Sequence, residues 1–171
     1  MIFFSMKIIL RNIVLILLCF ITLSIKVFAY EIKKLGLENG LSNNNIVGFS
    51  QDKNGYIWIC TKDGLNRFDG NTFKIFRHSK TNSNSICSNV LNCVYADKFD
   101  DIIWIATEKN GIDAYNYRTN TFVHYESDNT GRNPNALNAN GVTHITPDNK
   151  GNLWIATYLG GIDYFDKKTG I

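Results

Sequence analysis

The stretch Asp52-Lys53-Asn54-Gly55-Tyr56-Ile57-Trp58-Ile59-Cys60-Thr61, followed by Gly64-Leu65-Asn66-Arg67-Phe68, decides how this chain is read, because it recurs twice more. The second copy is Asp97-Lys98-Phe99-Asp100-Asp101-Ile102-Ile103-Trp104-Ile105-Ala106-Thr107 with Gly111-Ile112-Asp113-Ala114-Tyr115. The third is Asp148-Asn149-Lys150-Gly151-Asn152-Leu153-Trp154-Ile155-Ala156-Thr157 with Gly161-Ile162-Asp163-Tyr164-Phe165. The tryptophans are 46 and 50 residues apart. A unit of this length, repeated with the same residues at the same offsets, marks a repeat architecture.

Each unit reads as four short strands, a to d. Strand a carries apolar residues three apart: Ile46 and Phe49, Leu91 and Val94, Val142 and Ile145. Strand b is the tryptophan segment, rich in β-branched and aromatic residues. Strand c runs over Leu65–Phe68, Ile112–Tyr115 and Ile162–Phe165, and strand d over Phe73–Arg77 and Phe122–Tyr125. The third copy stops at Ile171, before a strand d. Asp52…Gly55 and Asp148…Gly151 are Asp-initiated turns with glycine supplying positive φ, and Asp69-Gly70 joins c to d as a tight hairpin. The second a–b turn has one extra residue and no glycine, so a looser turn is expected there.

Four strands per unit of about 40–50 residues is the blade of a β-propeller. The expected fold is therefore all-β: four-stranded antiparallel blades, about three of them, from an incomplete propeller preceded by an N-terminal signal helix. Blade one spans 41–78, blade two 86–126 and incomplete blade three 137–171; 30–37 occupies the place of a strand d that would complete a closing blade. Stacking of blades is expected to cover Trp58, Trp104 and Trp154, with each indole N–H reaching a partner at the rim. Gly64, Gly111 and Gly161 belong to the same structural repeat. A closed propeller needs about 4–8 blades, so an array of three is expected to expose an apolar blade face at its C-terminal end. The expectation is a truncated or partial chain.

Residues 1–29 differ from the rest. They contain no Asp or Glu, carry Lys7 and Arg11, and then run apolar for 13 residues from Ile13 to Ile25 before Lys26-Val27-Phe28-Ala29. This is the plan of a signal peptide cleaved after Ala29, with Met6 an equally good start. The apolar run falls short of the roughly 20 residues that span a bilayer, so a retained anchor is the less favoured alternative. Leu18 stands before Cys19 where a lipid-attachment signal wants a small residue. The expected location is periplasmic or otherwise extracytoplasmic.

All three charged residues of the leader are basic, so of the chain's 18 Lys+Arg, 15 remain against 15 Asp+Glu. Nothing basic is left to suit nucleic acid or an acidic membrane surface. Cys60, Cys87 and Cys93 are odd in number, so at least one is unpaired; Cys60 aligns with Ala106 and Ala156 as a small core residue, and Cys87 with Cys93 is a possible bridge. No metal-ligand spacing is present. His78, His124 and His144 lie at unrelated repeat positions, so no shared metal or catalytic cluster and no cofactor is expected. Asp113 and Asp163 recur on strand c opposite Asn66 of the first copy, which points to a structural hydrogen bond rather than an acid–base pair.

The pieces Gly40-Leu41-Ser42-Asn43-Asn44, Asp52…Gly55-Tyr56-Ile57-Trp58 and Gly64-Leu65-Asn66-Arg67-Phe68-Asp69-Gly70 with Thr72-Phe73 closely resemble the two-component regulator propeller repeat, over roughly residues 31–171. The resemblance implies a sensor region outside the cytoplasmic membrane, followed in such proteins by a small β-sandwich, a membrane helix and a histidine kinase or diguanylate cyclase. Many members are implicated in sensing saccharides. The sequence carries no kinase or cyclase motif, so the resemblance implies a sensor or ligand-binding segment and not an enzyme.

Because strands alternate in direction, the d–a and b–c connections share one face. The d–a connections, about 78–89 and 126–141, are long, variable and rich in Asn, Ser and Thr. The b–c loops vary too: Lys62 and Asp63; Glu108, Lys109 and Asn110; Tyr158, Leu159 and Gly160. Variable polar loops on a rigid scaffold are where binding usually sits, so Lys62, Asp63, Glu108, Lys109, Asn110 and Tyr158 are the candidate ligand contacts. Two other readings stay open. Propellers related to streptogramin lyase share similar blades, but a lyase would need His and carboxylates converging with a metal. An interaction module would use its open edge to bind missing blades or another chain.

Overall fold

A computed structural model describes residues 2–23 and 31–169. Helix α1 (Ile2–Leu23) belongs to one unit, and residues 35–169 form a second. Among the described residues no helix is long and apolar enough to cross a membrane. The expected cleavage point after Ala29 lies outside the described residues.

The repeat forms three antiparallel sheets. The first is β1 (Ile46–Gln51), β2 (Ile57–Thr61), β3 (Gly64–Phe68) and β4 (Phe73–Phe76), in that spatial order. The second is β5 (Leu91–Ala96), β6 (Ile102–Thr107), β7 (Ile112–Asn116) and β8 (Thr121–Tyr125). The third is β9 (Val142–Pro147), β10 (Leu153–Thr157) and β11 (Gly161–Phe165). Innermost strands β1, β5 and β9 pack on one another in sequence. These are three successive propeller blades, the third represented by strands a to c.

The three-residue spacing on strand a has a structural cause. In each sheet the a–b ladder slips by one residue near the start of strand a, leaving Val47, Asn92 and Thr143 unpaired. Such a bulge breaks the two-residue alternation of a strand. Leu91 and Val94 therefore share one face and are both buried, as are Val142 and Ile145.

Two cores lie between the sheets. Trp58, Cys60 and Leu65 of the first blade meet Val94, Ile103, Ile105 and Tyr115 of the second. Trp104, Ala106 and Ile112 of the second meet Val142, Ile145, Leu153, Ile155 and Phe165 of the third. Each tryptophan packs on the strand-c aromatic of the next blade, Trp58 on Tyr115 at 5.7 Å and Trp104 on Phe165 at 5.5 Å between ring centres. Both pairs are near edge-to-face, the arrangement aromatic quadrupoles favour. Cys60, level with Ala106, fills a small core position, and burial pushes its thiol up to about 12.

Trp154 does not follow. It is 46% exposed, and its ring lies tilted against its own sheet's Tyr164, at 4.7 Å between centres. The expectation that stacking would cover all three tryptophans holds for the two that have a following blade. Ile162 and Tyr164 are exposed beside Trp154, and at the opposite end of the array Ile46 and Phe49 are exposed on the first sheet. Both terminal blade faces are thus apolar and open among the described residues.

The turn aspartates have a double role. Asp52 Oδ1 accepts the backbone N–H groups of Asn54 and Tyr56, and its Oδ2 accepts the Trp58 indole N–H at 2.8 Å. Asp97 does the same for Phe99, Asp100 and Trp104, the last at 3.2 Å. In the third blade Asp148 caps its turn, but Oδ2 takes the Tyr164 hydroxyl at 3.0 Å. The second turn is wider by one residue, as its sequence suggested: Asp97 N–H reaches Ile102 O, whereas Asp52 N–H reaches Tyr56 O. The Asp69-Gly70 hairpin closes through Asp69 Oδ1, which accepts the N–H groups of Asn71 and Thr72.

The strand expected over 30–37 is not formed in its described residues, which pair with no ladder and lead into the 3-10 helix Leu37–Asn39. An isolated segment gains no strand conformation without a partner whose ladder it can join. Its repeat position is nonetheless that of a strand-d end. Leu37 N–H donates to Asn44 Oδ1, as His78 does to Asn89 and Ser127 to Asn140.

Candidate functional site

The face built by the d–a and b–c connections carries two clefts. The first, about 520 Å³, is lined by Asn92, Glu108, Lys109, Asn140, Gly141, Thr143 and Tyr158. Its floor is made by the strand-a bulges: Asn92 and Thr143 are the unpaired residues of β5 and β9. A bulge re-aims a side chain that a regular strand would commit to one sheet face. Asn92 uses this freedom to bridge three blades. Its Nδ2 donates to Val142 O at 2.9 Å and its Oδ1 accepts from Lys62 Nζ at 2.8 Å. Lys62 Nζ also lies 3.3 Å from Glu108 Oε2.

Of the residues singled out in the sequence, Glu108, Lys109 and Tyr158 border this cleft, and Lys62 joins it through Asn92 and Glu108. Asp63 turns elsewhere and pairs with Arg77 at 2.9 Å. Asn110 belongs to the second cleft. Asn92, Asn140 and Thr143 were missed. The irregular three-residue spacing on strand a was the available signal, because it implies a bulge residue facing neither core.

The b–c loops that carry these residues are fixed by the repeat threonine. Thr61, Thr107 and Thr157 each donate Oγ1–H to the carbonyl of Gly64, Gly111 and Gly161, at 3.0, 2.9 and 3.0 Å. The cleft therefore stands on a rigid base, with Tyr158 68% exposed at its edge.

The second cleft, about 640 Å³, lies under the first d–a connection and is lined by polar groups including His78, Ser83, Cys87, Asn110, His124 and Glu126. Two of the three histidines thus border one cleft despite their unrelated repeat positions; His144 sits apart, 3.7 Å from Cys93 Sγ. His124 Nδ1 lies 2.6 Å from Asp113 Oδ1. Burial pulls the His124 pKa down, but the Asp113 hydrogen bond and charge outweigh it and leave it raised. Burial first, then the Asp113 charge, holds the Cys87 thiol above its ordinary value. Cys60, Cys87 and Cys93 are all free.

The strand-c residues serve one structural purpose in all three blades. Asn66 Oδ1 accepts Ser42 N–H at 2.9 Å, Asp113 Oδ2 accepts Cys87 N–H at 2.9 Å and Asp163 Oδ2 accepts Asn138 N–H at 3.0 Å. Each tethers the incoming connection just after a buried Leu41, Ile86 or Leu137.

Residues 40–63 and 136–159 match the two component regulator propeller family. The chain is 43% identical to the extracellular domain of the hybrid two component system BT3049 from B. thetaiotaomicron, over 83% of this chain and 20% of that one, with a TM-score of 0.77. It is 29% identical to the extracellular domain of the hybrid system BT4673 from the same organism, over 83% of this chain and 19% of that one, with a TM-score of 0.62. A 73-residue segment is 41% identical to histidine kinase P4 of Formosa agariphila, covering 42% of this chain and 5% of the kinase. The chain thus spans about a fifth of the solved relatives. Virginiamycin B lyase from Staphylococcus aureus, at 17% identity and a TM-score of 0.51, shares the fold alone.

Proposed function

We propose that this run of two-component regulator propeller repeats is the exported sensor segment of a two-component-type signalling protein, and that the cleft around Glu108, Lys109 and Tyr158 binds a saccharide. The observation that carries the reading is the 43% identity, over 83% of the chain, to an extracellular domain of a hybrid two component system. The basic, acid-free leader supports export.

The chemistry of the cleft supports a sugar. Tyr158 offers an exposed aromatic face, which suits the apolar face of a pyranose. Asn92, Asn140, Thr143 and Glu108 supply donors and acceptors around it. Carboxylate, amide and hydroxyl groups beside an aromatic ring fit a polyhydroxyl ligand, and the neutral charge balance of 15 Lys+Arg against 15 Asp+Glu after the leader favours no polyanion. Isothermal titration of the full chain with a panel of neutral oligosaccharides is expected to find one that binds, and Tyr158→Ala to weaken it by about 10-fold or more, the equivalent of about 1.4 kcal/mol. Binding untouched by Tyr158→Ala, or no binding across the panel, would sink the sugar assignment.

The open face of the third blade favours a second component of this reading. Trp154, Ile162 and Tyr164 form an exposed apolar surface of the kind that marks an interface. This is the surface on which another propeller blade would pack, as the second blade packs on the first. Size-exclusion chromatography with light scattering on the full chain is expected to show self-association that Trp154→Lys suppresses. A stable monomer at all concentrations would argue against an adhesive face.

A further inference from the structure

The second cleft holds a group of side chains that the tethering of the d–a connection does not explain. Cys87 comes from that connection, Asp113 from β7 and His124 from β8, where it stands directly opposite Asp113 in the ladder. Each offers one ligand atom, and the three atoms lie within 4.8 Å of one another. We propose that Cys87, Asp113 and His124 bind a zinc ion, with a fourth position open to the cleft that His78 and Glu126 border.

The donor set is the first argument. Thiolate, imidazole and carboxylate are the three ligand types that zinc takes in proteins, and three protein ligands with one open position is a familiar zinc geometry. Two anionic ligands, thiolate and carboxylate, balance the charge of a divalent cation, and the Asp113 carboxylate is fully buried beside the other two ligands.

Comparison of the blades is the second. At the three positions the first blade has Ser42, Asn66 and Ile75, and it makes the same backbone tether at the same 2.9 Å. The third blade has Asn138 and Asp163. The tether needs one acceptor on strand c and a backbone N–H. A thiol at 87 and an imidazole at 124 add nothing to it, yet all three positions carry ligand-type groups in the second blade.

The present contacts are the third. His124 Nδ1 meets Asp113 Oδ1 at 2.6 Å, and Cys87 Sγ–H donates to Asn110 O at 3.2 Å. Each contact is held by a proton that a cation would replace, since metal binding deprotonates its ligands. Zinc–ligand bonds of about 2.0–2.3 Å in a tetrahedron hold nitrogen and oxygen roughly 3.3 Å apart. The His124 ring must therefore withdraw from Asp113 by under about 1 Å, and its partial exposure to the cleft leaves room for that.

The test uses the untagged full chain, reduced and stripped of metal. Titration with Co²⁺ is expected to reach one equivalent and give a thiolate-to-cobalt charge-transfer band that Zn²⁺ abolishes by displacement. The double variant Cys87→Ser, His124→Ile carries residues that the first blade already accommodates at these positions. It is expected to keep its far-ultraviolet circular dichroism, lose the band, and lose at least about 100-fold in zinc affinity. A band that survives in the variant would come from another thiol and overturn the assignment, as would the absence of any band in the wild-type chain.

Discussion

Trp58→Ala is expected to destabilise the propeller segment by about 3–5 kcal/mol, whereas Trp154→Ala is expected to cost about 1 kcal/mol. The two residues have the same place in the repeat, on strand b, and each is followed by isoleucine. They differ in what covers them. Trp58 is fully buried between two sheets, against Tyr115 and Phe76, with its N–H satisfied by a buried aspartate. Its removal leaves a cavity that flanking strands, fixed by their ladders, cannot close, and it strands an Asp52 oxygen that now has no donor. Trp154 is 46% exposed and donates no indole hydrogen bond to its turn aspartate, whose Oδ2 is taken by Tyr164. Urea denaturation followed by circular dichroism reads both numbers, and for a segment of this size the Trp58 variant should melt roughly 10 °C lower. Equal effects at the two positions would mean that packing between blades is not what holds the array together.

The contrast shows which parts of the structure the sequence could disclose. The strands and their order were legible because they rest on local signals: a tryptophan-centred strand, an Asp turn, a glycine at the start of strand c. The bulges were half legible. The pairs Leu91/Val94 and Val142/Ile145 revealed a spacing that a plain strand would not bury, but not that Asn92 would use it to link Lys62 and Val142. Exposure of Trp154 was not legible from its own repeat, since burial belongs to the neighbour and not to the residue. The segment 30–37 depends on the same relation: a strand joins two segments, and its described residues have no closing blade to pair with.

The candidate sites divide along the same line. Glu108, Lys109 and Tyr158 were found because loops on one face follow from alternation of strand direction. The grouping of Cys87, Asp113 and His124 could not be found from spacing. The three lie on a connection and two strands, and metal-ligand spacings describe ligands that sit within one turn or hairpin. Only the register, which sets His124 against Asp113, and the tether from Cys87 N–H bring them together.

Glycine at the start of strand c gives the second large effect. Gly111→Ala is expected to cost about 3 kcal/mol or more, and Gly161→Ala about 1 kcal/mol. Both residues have positive φ, +70° and +84°, so both variants carry the strain of a side chain in the left-handed region. A methyl group at Gly161 would meet nothing within 4 Å, but at Gly111 it would fall 2.0 Å from the carbonyl oxygen of Tyr125, and at Gly64 2.7 Å from that of Phe76. The obstacle is the end of strand d, which lies beside the start of strand c in the first two sheets. Gly111 cannot yield either. Its N–H is bonded to Asn140 O at 2.8 Å, and its carbonyl takes both Thr107 N–H and Thr107 Oγ1–H, at 3.0 and 2.9 Å. The strain must pass into β8 or into the connection that carries Asn140, which lines the first cleft. Denaturation of Gly64→Ala, Gly111→Ala and Gly161→Ala in parallel should rank them 111, then 64, then 161. If Gly161→Ala proved as damaging as Gly111→Ala, the cost would come from φ alone, and the close approach of strand d would carry none of it.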